Sequence, residues 1–287
     1  MARTLEPYQL VERSIITKYR KVLWNPFIEA VKRYEMIQPG DRIAVCISGG
    51  KDSMLLAKLM QQLQKHSDFP FELVFLVMDP GYNELNRRKI ESNAALLNIP
   101  VTIFESDIFE VADSAGKSPC YLCARMRRGY LYSRAQELGC SKIALGHHFN
   151  DVVETTLISM FYGSQLQAML PKLHSTNFEG MTLIRPLYCV HEDDIIAWAR
   201  DNSLEFIQCA CRLTERSVAD TGDVNVSKRK EIKLLLRRLR QGNPNIEKSI
   251  FNSIHAVALD TMPGFKTGGV EHSFLERFNA MESTEDE

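Results

Sequence analysis

The segment Ala44-Val45-Cys46-Ile47-Ser48-Gly49-Gly50-Lys51-Asp52-Ser53 constrains the fold more than any other part of the chain. An apolar run leads straight into Ser-Gly-Gly-Lys-Asp-Ser, and helical spacing follows from Met54 to Gln64. A strand, a glycine turn and a helix in that order aim backbone N–H groups and a helix N-terminus at one point, and both favour a bound phosphate. Gly49 and Gly50 let the backbone approach the anion closely. Ser48 and Ser53 add hydroxyl donors, Lys51 adds a point charge, and Asp52 offers an oxygen to magnesium. The Gly-x-x-x-x-Gly-Lys spacing of a Walker A loop is absent. An ordinary glycine turn ahead of a helix needs only the glycines, so six such residues together favour the phosphate site.

The pattern around this turn is strand–helix alternation. Ile43 to Ile47, Leu73 to Met78, Val101 to Phe104, Ile143 to Leu145 and Leu183 to Ile184 read as buried strands. Helical stretches at 53–65, 84–98, 121–138, 149–163 and 191–201 lie between them. This predicts an α/β fold with a parallel five-stranded sheet in three α/β/α layers. Ligands in such sheets sit beyond the carboxyl ends of the strands, which is where the Ser-Gly-Gly turn falls. Residues 8 to 36 read as helix, with Pro26 dividing it and Pro39-Gly40 ending it. Residues 206–225 read as a cysteine-bearing loop, 227–241 as a basic helix, 245–259 as another helix, and Met262 to Gly269 as loop. The expected domains are an N-terminal helical segment 1–38, a nucleotide domain 39–205, a C-terminal segment 206–280 and a disordered acidic tail 281–287.

The chain has 287 residues, 45% of them hydrophobic and 25% charged, which fits a soluble globular protein with a sizeable core. The net charge of -1 means that any nucleic-acid surface must come from local clustering. No apolar run approaches the ~20 residues that span a bilayer, and the first residues lack the apolar core of a signal peptide. The expectation is a cytoplasmic protein with no membrane partner. Seven cysteines in a reducing compartment point to metal binding or sulfur chemistry rather than disulfides.

Cys120-Tyr-Leu-Cys123 follows Ser118-Pro119 at a predicted helix start, where the helix dipole favours thiolates. Such a pair serves a redox site, half of a zinc site or part of an iron–sulfur cluster. Cys209-Ala210-Cys211 supplies a second pair, whose side chains point opposite ways on an extended chain, so one of the two fits as a ligand better than both. Four thiolates suit structural zinc, whereas three protein ligands leave one iron of a cluster open for chemistry. Cys46, Cys140 and Cys189 sit in or beside apolar strands and read as small buried hydrophobes.

The Ser-Gly-Gly-Lys-Asp-Ser turn resembles the pyrophosphate loop of the ATP pyrophosphatase superfamily. Together with Pro119-Cys-x-x-Cys-x-Arg-x-Arg-Arg-Gly, Gly146-His147-His148 and Asp151, the chain resembles the tRNA 2-thiocytidine synthetase family over about residues 10 to 212. The resemblance implies an adenine nucleotide alpha hydrolase-like, Rossmann-like fold with helical extensions. It also implies ATP, Mg2+ and a 4Fe-4S cluster as cofactors, and an activity that replaces the 2-oxygen of a cytidine in the tRNA anticodon loop by sulfur. Cys120, Cys123 and Cys209 are the implied cluster ligands, with Cys211 as the alternate third ligand. Two departures stand out. The family's second pair is usually Cys-x-x-Cys, and two acids usually follow Gly-His-His, where this chain has Asn150 before Asp151.

The chemistry then assigns roles. A cytidine carbonyl oxygen leaves poorly, and adenylation makes it a good leaving group. Ser48, Gly49, Gly50, Lys51, Asp52 and Ser53, with Gly146 and His147, are the expected nucleotide-binding residues. Lys51, Asp52, Asp151 and Arg128 are the expected catalytic set, with Asp52 and Asp151 as magnesium ligands. The cluster or a cysteine persulfide delivers sulfur, with a cysteine desulfurase as the expected source. Asp79 reads as a cap on the Pro80-Gly81 turn. Of Arg127 and Arg128, one is expected to face the site and the other solvent or phosphate. Lys228 to Arg240 carries seven basic residues and one acid, with Ile232, Leu235, Leu236 and Leu239 expected to anchor it. Its outer face suits an RNA backbone, and Tyr130, Tyr132 and Phe161 are stacking candidates. Alternatives are thiolation of another base to 2-thiouridine, a nucleotide- and RNA-binding module with structural zinc and no turnover, and an adenylating ligase that needs no cysteines. The extra terminal zinc-finger pairs of 2-thiouridine enzymes are absent, which favours cytidine. A homodimer is compatible with these features.

Overall fold

A computed structural model describes residues 5–106, 108, 119–207 and 228–282, with backbone alone over 119–125 and 280–282. The chain divides into two compact units, Met1–Lys233 and Leu234–Glu287. In the first, β1 (Arg42–Ile47) is buried at every position after Arg42, as a central parallel strand covered on both faces must be. It pairs in parallel with β2 (Glu72–Asp79) from Arg42↔Glu72 to Ile47↔Val77. On its other side it pairs with β4 (Lys142–Ala144). Beyond β2 lies β3 (Val101–Glu105). Beyond β4 lie β6 (Thr182–Ile184) and then β5 (Lys172–His174), giving the order β3-β2-β1-β4-β6-β5.

The sheet therefore has six strands rather than the five expected. The extra strand, β5, runs antiparallel to β6 and covers an edge of the sheet. It is three residues long, is at best half-buried, and contains Lys172 and His174, so it carries no apolar run to announce it. The parallel strands fall where the apolar runs lie: β4 and β6 are buried throughout and β1 after Arg42, whereas β3, at the other edge, is at best half-buried.

The helices of this unit are α1 (Pro7–Ile16), α2 (Asn25–Arg33), α3 (Lys51–His66), α4 (Glu84–Leu96), α5 (Pro119–Glu137), α6 (Phe149–Gly163) and α7 (Glu192–Asp201). The N-terminal helix divides as expected, with a π-helical turn at Arg20–Trp24 and Pro26 in the first turn of α2, where its missing N–H costs nothing. Ile15, Leu23, Phe27 and Ala30 are fully buried. Glu12 of α1 binds Lys58 of α3 at 2.8 Å. Lys58 is completely buried and also donates to Gln61 Oε1 at 2.7 Å and the Leu97 carbonyl at 2.8 Å. All three ammonium protons are thus used, as a buried charge requires.

Helix α8 (Lys228–Gly242) begins in the first unit. The second unit contains α9 (Ile246–Ser253), a 3-10 turn at Leu259–Thr261, β7 (Gly264–Thr267), β8 (Val270–Ser273) and α10 (Phe274–Glu282). Two expectations fail here. The helix expected over 245–259 stops at Ser253, and the segment expected as loop from Met262 holds an antiparallel hairpin. Gly268 and Gly269 both adopt positive φ at its turn, the conformation that a two-residue hairpin loop requires.

Candidate active site

The strand order reverses direction at β1. From β1 the chain moves outward to β2 and β3, then returns to β4 on the opposite side. The loops after β1 and β4 consequently part at their carboxyl ends and leave a crevice, the usual ligand position in an open α/β sheet. Ser48, Gly49 and Gly50 occupy the first loop, and Leu145 to His148 the second.

Gly49 has φ +83°, and a Cβ there would lie 2.5 Å from Ile90 Cγ1 and 2.7 Å from Ile207 Cδ1. Both conformation and space demand glycine. Gly50 is the N-cap of α3, so the free N–H groups of that helix open toward the loop. The Ser53 hydroxyl donates to the Gly50 carbonyl at 3.0 Å and accepts from the Ser48 backbone N–H at 3.2 Å, which ties the loop across its own mouth. A Cβ on Gly146 would come within 3.1 Å of Ser53 N and 3.2 Å of the Asp52 carbonyl carbon. The end of β4 thus lies directly against the loop.

A chain of charges crosses the crevice. Lys51 Nζ lies 3.1 Å from Asp52 Oδ1 and 3.1 Å from Glu192 Oε1 at the start of α7. Burial works against its charge, but the two carboxylates outweigh that and raise its pKa. Glu192 also binds Lys233 at 2.9 Å. Burial alone would raise its pKa, yet Lys233 and Lys51 hold it down to about 2. Glu192 is placed by Asn150, whose side-chain oxygen accepts the Glu192 backbone N–H at 2.9 Å. Asn150 stands where an acid was expected, and it connects α6 to α7.

His148 caps α6. Asp151 Oδ2 accepts the His148 backbone N–H at 3.0 Å, and His148 Nδ1 accepts the Asp151 N–H at 3.4 Å. His148 Nε2 stands 3.9 Å from both Asp52 Oδ1 and Glu192 Oε1. Asp151 Oδ1 binds Arg229 at 2.8 Å. Beneath them Glu154 is almost wholly buried, 3.6 Å from Lys233 and 3.7 Å from Arg229. Burial dominates there and pushes its pKa up to about 7 despite the two cations.

Asp52 and Asp151 of this set also border a cavity of about 410 Å³ whose walls include Ser48, Ser53, Gly146 and His147. Arg127 and Arg128 of α5 both line it, rather than one facing elsewhere. Arg127 donates to the Tyr82 hydroxyl at 3.3 Å, and Tyr82 forms part of the wall. Burial, followed by Arg185, drives the pKa of His147 down to about 4, and its Nδ1 is buried without a hydrogen-bond partner. It is therefore neutral near pH 7 and able to exchange a hydrogen bond with a ligand. Asp79 caps its turn as expected, accepting from the N–H groups of Gly81 and Tyr82. Cys46 is a buried wall residue whose thiol burial pushes up to about 12, so it is no nucleophile.

Asp52 Oδ1 is buried and accepts no well-aligned hydrogen bond, although Lys51 is 3.1 Å away. Among the described residues no three acidic, histidine or cysteine ligands are arranged to enclose a metal. A carboxylate with a spare oxygen beside a phosphate loop still fits magnesium, which takes one or two carboxylates and completes its shell with phosphates and water. Cys120 and Cys123 lie on the first turn of α5, but their side chains fall outside the described residues, as do Cys209 and Cys211. Sequence reasoning missed Glu192, Lys233, Arg229 and Glu154. Each is far in sequence from the loop it serves, and an acid in the first turn of a helix reads merely as a partner of the helix dipole.

A PP-loop domain family model matches residues 17–214. A tRNA-cytidine(32) 2-sulfurtransferase of Geobacter sulfurreducens is 37% identical over 83% of this chain and 90% of its own. One from Neisseria meningitidis serogroup C is 42% identical over 67% of this chain and 61% of its own. Among solved structures, the U34-tRNA thiolase NcsA from Methanococcus maripaludis with its 4Fe-4S cluster superposes with a TM-score of 0.63 at 19% identity, covering 84% of this chain and 80% of that one. That likeness extends the agreement from sequence to fold. The chain belongs to the PP-loop family, and within it to the tRNA-cytidine(32) 2-sulfurtransferases.

Proposed function

We propose that this protein is an ATP-dependent tRNA sulfurtransferase that adenylates O2 of a cytidine in the anticodon loop and replaces it with sulfur, giving 2-thiocytidine. ATP lies with its phosphates on Ser48, Gly49, Gly50 and Ser53 and on the N-terminus of α3. The cytidine oxygen attacks the α-phosphorus, and pyrophosphate departs toward Lys51. Lys51 stabilises the charge that develops on the leaving group. Asp52 and Asp151 would hold Mg2+, which would supply charge stabilisation for the departing phosphates. Gly146 and His147 bound the nucleotide on the β4 side, where neutral His147 orients a phosphate or the base. Arg128 faces the reacting centre from α5. A sulfur nucleophile then adds at C2, and AMP leaves with the former oxygen.

Cys120, Cys123 and either Cys209 or Cys211 would hold the 4Fe-4S cluster in this reading, and the cluster would supply a site for the incoming sulfur. A cysteine desulfurase is the source of that sulfur in this reading, with a thiol reductant supplying the two electrons that bring its persulfide sulfur to the sulfide level, and the reaction runs in the cytoplasm. Among the described residues no helix is long and apolar enough to cross a membrane.

One observation supports this reading above the rest. Helix α5 carries the Cys-x-x-Cys pair in its first turn, and Arg127 and Arg128, about one turn further along, line the cavity of the phosphate loop. The test is mass spectrometry of nucleosides from tRNA of a strain lacking the gene. Loss of 2-thiocytidine, restored by the intact gene but not by Cys120→Ala, is the expected result. Loss of 2-thiouridine instead, or an unchanged profile, contradicts it.

A further inference from the structure

A second cavity, of about 660 Å³, lies on the far side of Arg128, between α5 and the connection from β5 to β6. Nothing in the reaction above uses it. Its volume falls within the range of small-molecule and nucleotide sites, about 300–1,000 Å³. Arg128 and Arg185 both line it, and none of its described lining residues is acidic.

Two guanidiniums on one cavity without a carboxylate are an unbalanced charge. Arg185 gives one of its hydrogen bonds to the Leu170 carbonyl, while its Nε is buried without a partner. Burial, and then the neighbouring charge of Arg128, pull its pKa down to about 10. A bound anion offsets both costs, and a planar guanidinium fork suits phosphate oxygens. The surroundings favour a nucleotide over a free ion. Tyr132, a core residue, and Phe178 stack on one another, with ring centroids 5.1 Å apart and planes 10° apart, and give the cavity an apolar floor. Exposed His174, Thr176 and Asn177 offer hydrogen-bonding groups at the rim.

We propose that this second cavity binds a phosphodiester of the substrate RNA, next to the nucleotide being modified, between Arg128 and Arg185. This rests on the tRNA-thiolating function proposed above. Arg128 borders both cavities, so it joins the place where the backbone is gripped to the place where the base reacts. The pyrophosphate of ATP is the rival anion. However, Ser48, Asp52 and Ser53 line the first cavity and are not part of the second.

The test is fluorescence anisotropy with a labelled anticodon stem–loop RNA over a range of salt concentrations, beside calorimetry with ATP·Mg. Arg185→Gln is expected to weaken RNA binding about tenfold or more and to flatten the log K against log salt slope by about one. Its ATP affinity should remain within about twofold of the parent. Asn177→Asp serves as a second variant, because an exposed loop residue can change without disturbing the fold. Its added negative charge should weaken RNA binding while the melting temperature holds. RNA affinity and salt slope unchanged in both variants overturn the proposal while the intact protein still binds the RNA. An ATP affinity that falls as far as the RNA affinity overturns it in favour of pyrophosphate. An intact protein that fails to bind the RNA at all overturns the proposed function as well.

Discussion

Gly146 sets how closely the end of β4 approaches the phosphate loop. The backbone of Asp52 and Ser53 stands 3.1 to 3.3 Å from where an alanine Cβ would sit, and backbone at a helix N-terminus cannot swing aside as a side chain does. Gly146→Ala is therefore expected to destabilise the protein by about 1–3 kcal/mol and to lose ATP·Mg affinity. Thermal denaturation with and without ATP·Mg checks both, and an unchanged melt with an unchanged ATP shift refutes the close approach. Two titrating residues of the site, His147 and Glu154, act in opposite senses. His147 has a pKa of about 4 in the fold, against about 6.5 when unfolded. Between those values the unfolded chain binds the extra proton, so the stability His147 contributes is complete above about pH 6.5 and fades as the pH falls toward 4. Glu154 is raised to about 7, so its contribution is complete at low pH and fades as the pH rises through 7. Denaturant midpoints at about pH 5 and about pH 7 separate them. His147→Gln should reduce the loss on acidification, and Glu154→Gln should increase it. Both residues lay in plain view in the sequence, but burial decides their behaviour, and burial is a property of the folded chain.

At the scale of elements, the phosphate loop and the parallel strands were legible because each carries its signal within a few consecutive residues. Ile43 to Ile47 is an unbroken apolar run, and the glycine turn abuts it. The short strand β5 was not legible, since Lys172-Leu173-His174 pairs only at a sheet edge and buries little. The basic helix was read in part. Ile232 and Leu236 are buried as expected, whereas Leu239 is 42% exposed. The N-terminal helices belong to the first unit, where Phe27 is fully buried and Glu12 binds Lys58. Phe27→Ala is thus expected to cost about 3–5 kcal/mol and to lower the melting temperature of the nucleotide-binding unit as a whole. Calorimetry that shows a separate N-terminal transition, with the ATP-stabilised transition unmoved, contradicts this.

The whole molecule combines a near-neutral net charge with concentrated positive charge on α8. Sequence made that concentration visible, but not its division of labour. Arg229 and Lys233 turn toward the carboxylates of the crevice, while Lys228 and Lys230 remain exposed. The outward pair suits the RNA backbone, so Lys228→Glu with Lys230→Glu should weaken tRNA binding about tenfold and reduce its salt dependence, with ATP affinity unchanged. Filter binding at several salt concentrations checks it, and an unaltered slope refutes it. The central claim is that one crevice couples ATP cleavage to sulfur insertion in a cytidine. Its most direct test is an anaerobic reaction of the cluster-loaded protein with ATP, Mg2+, sulfide and unmodified tRNA, following AMP, pyrophosphate and thionucleosides together. The account predicts 2-thiocytidine in step with equal amounts of AMP and pyrophosphate, all abolished by Asp52→Asn. Thionucleoside formed without ATP, or AMP released with no sulfur entering the RNA, would contradict it.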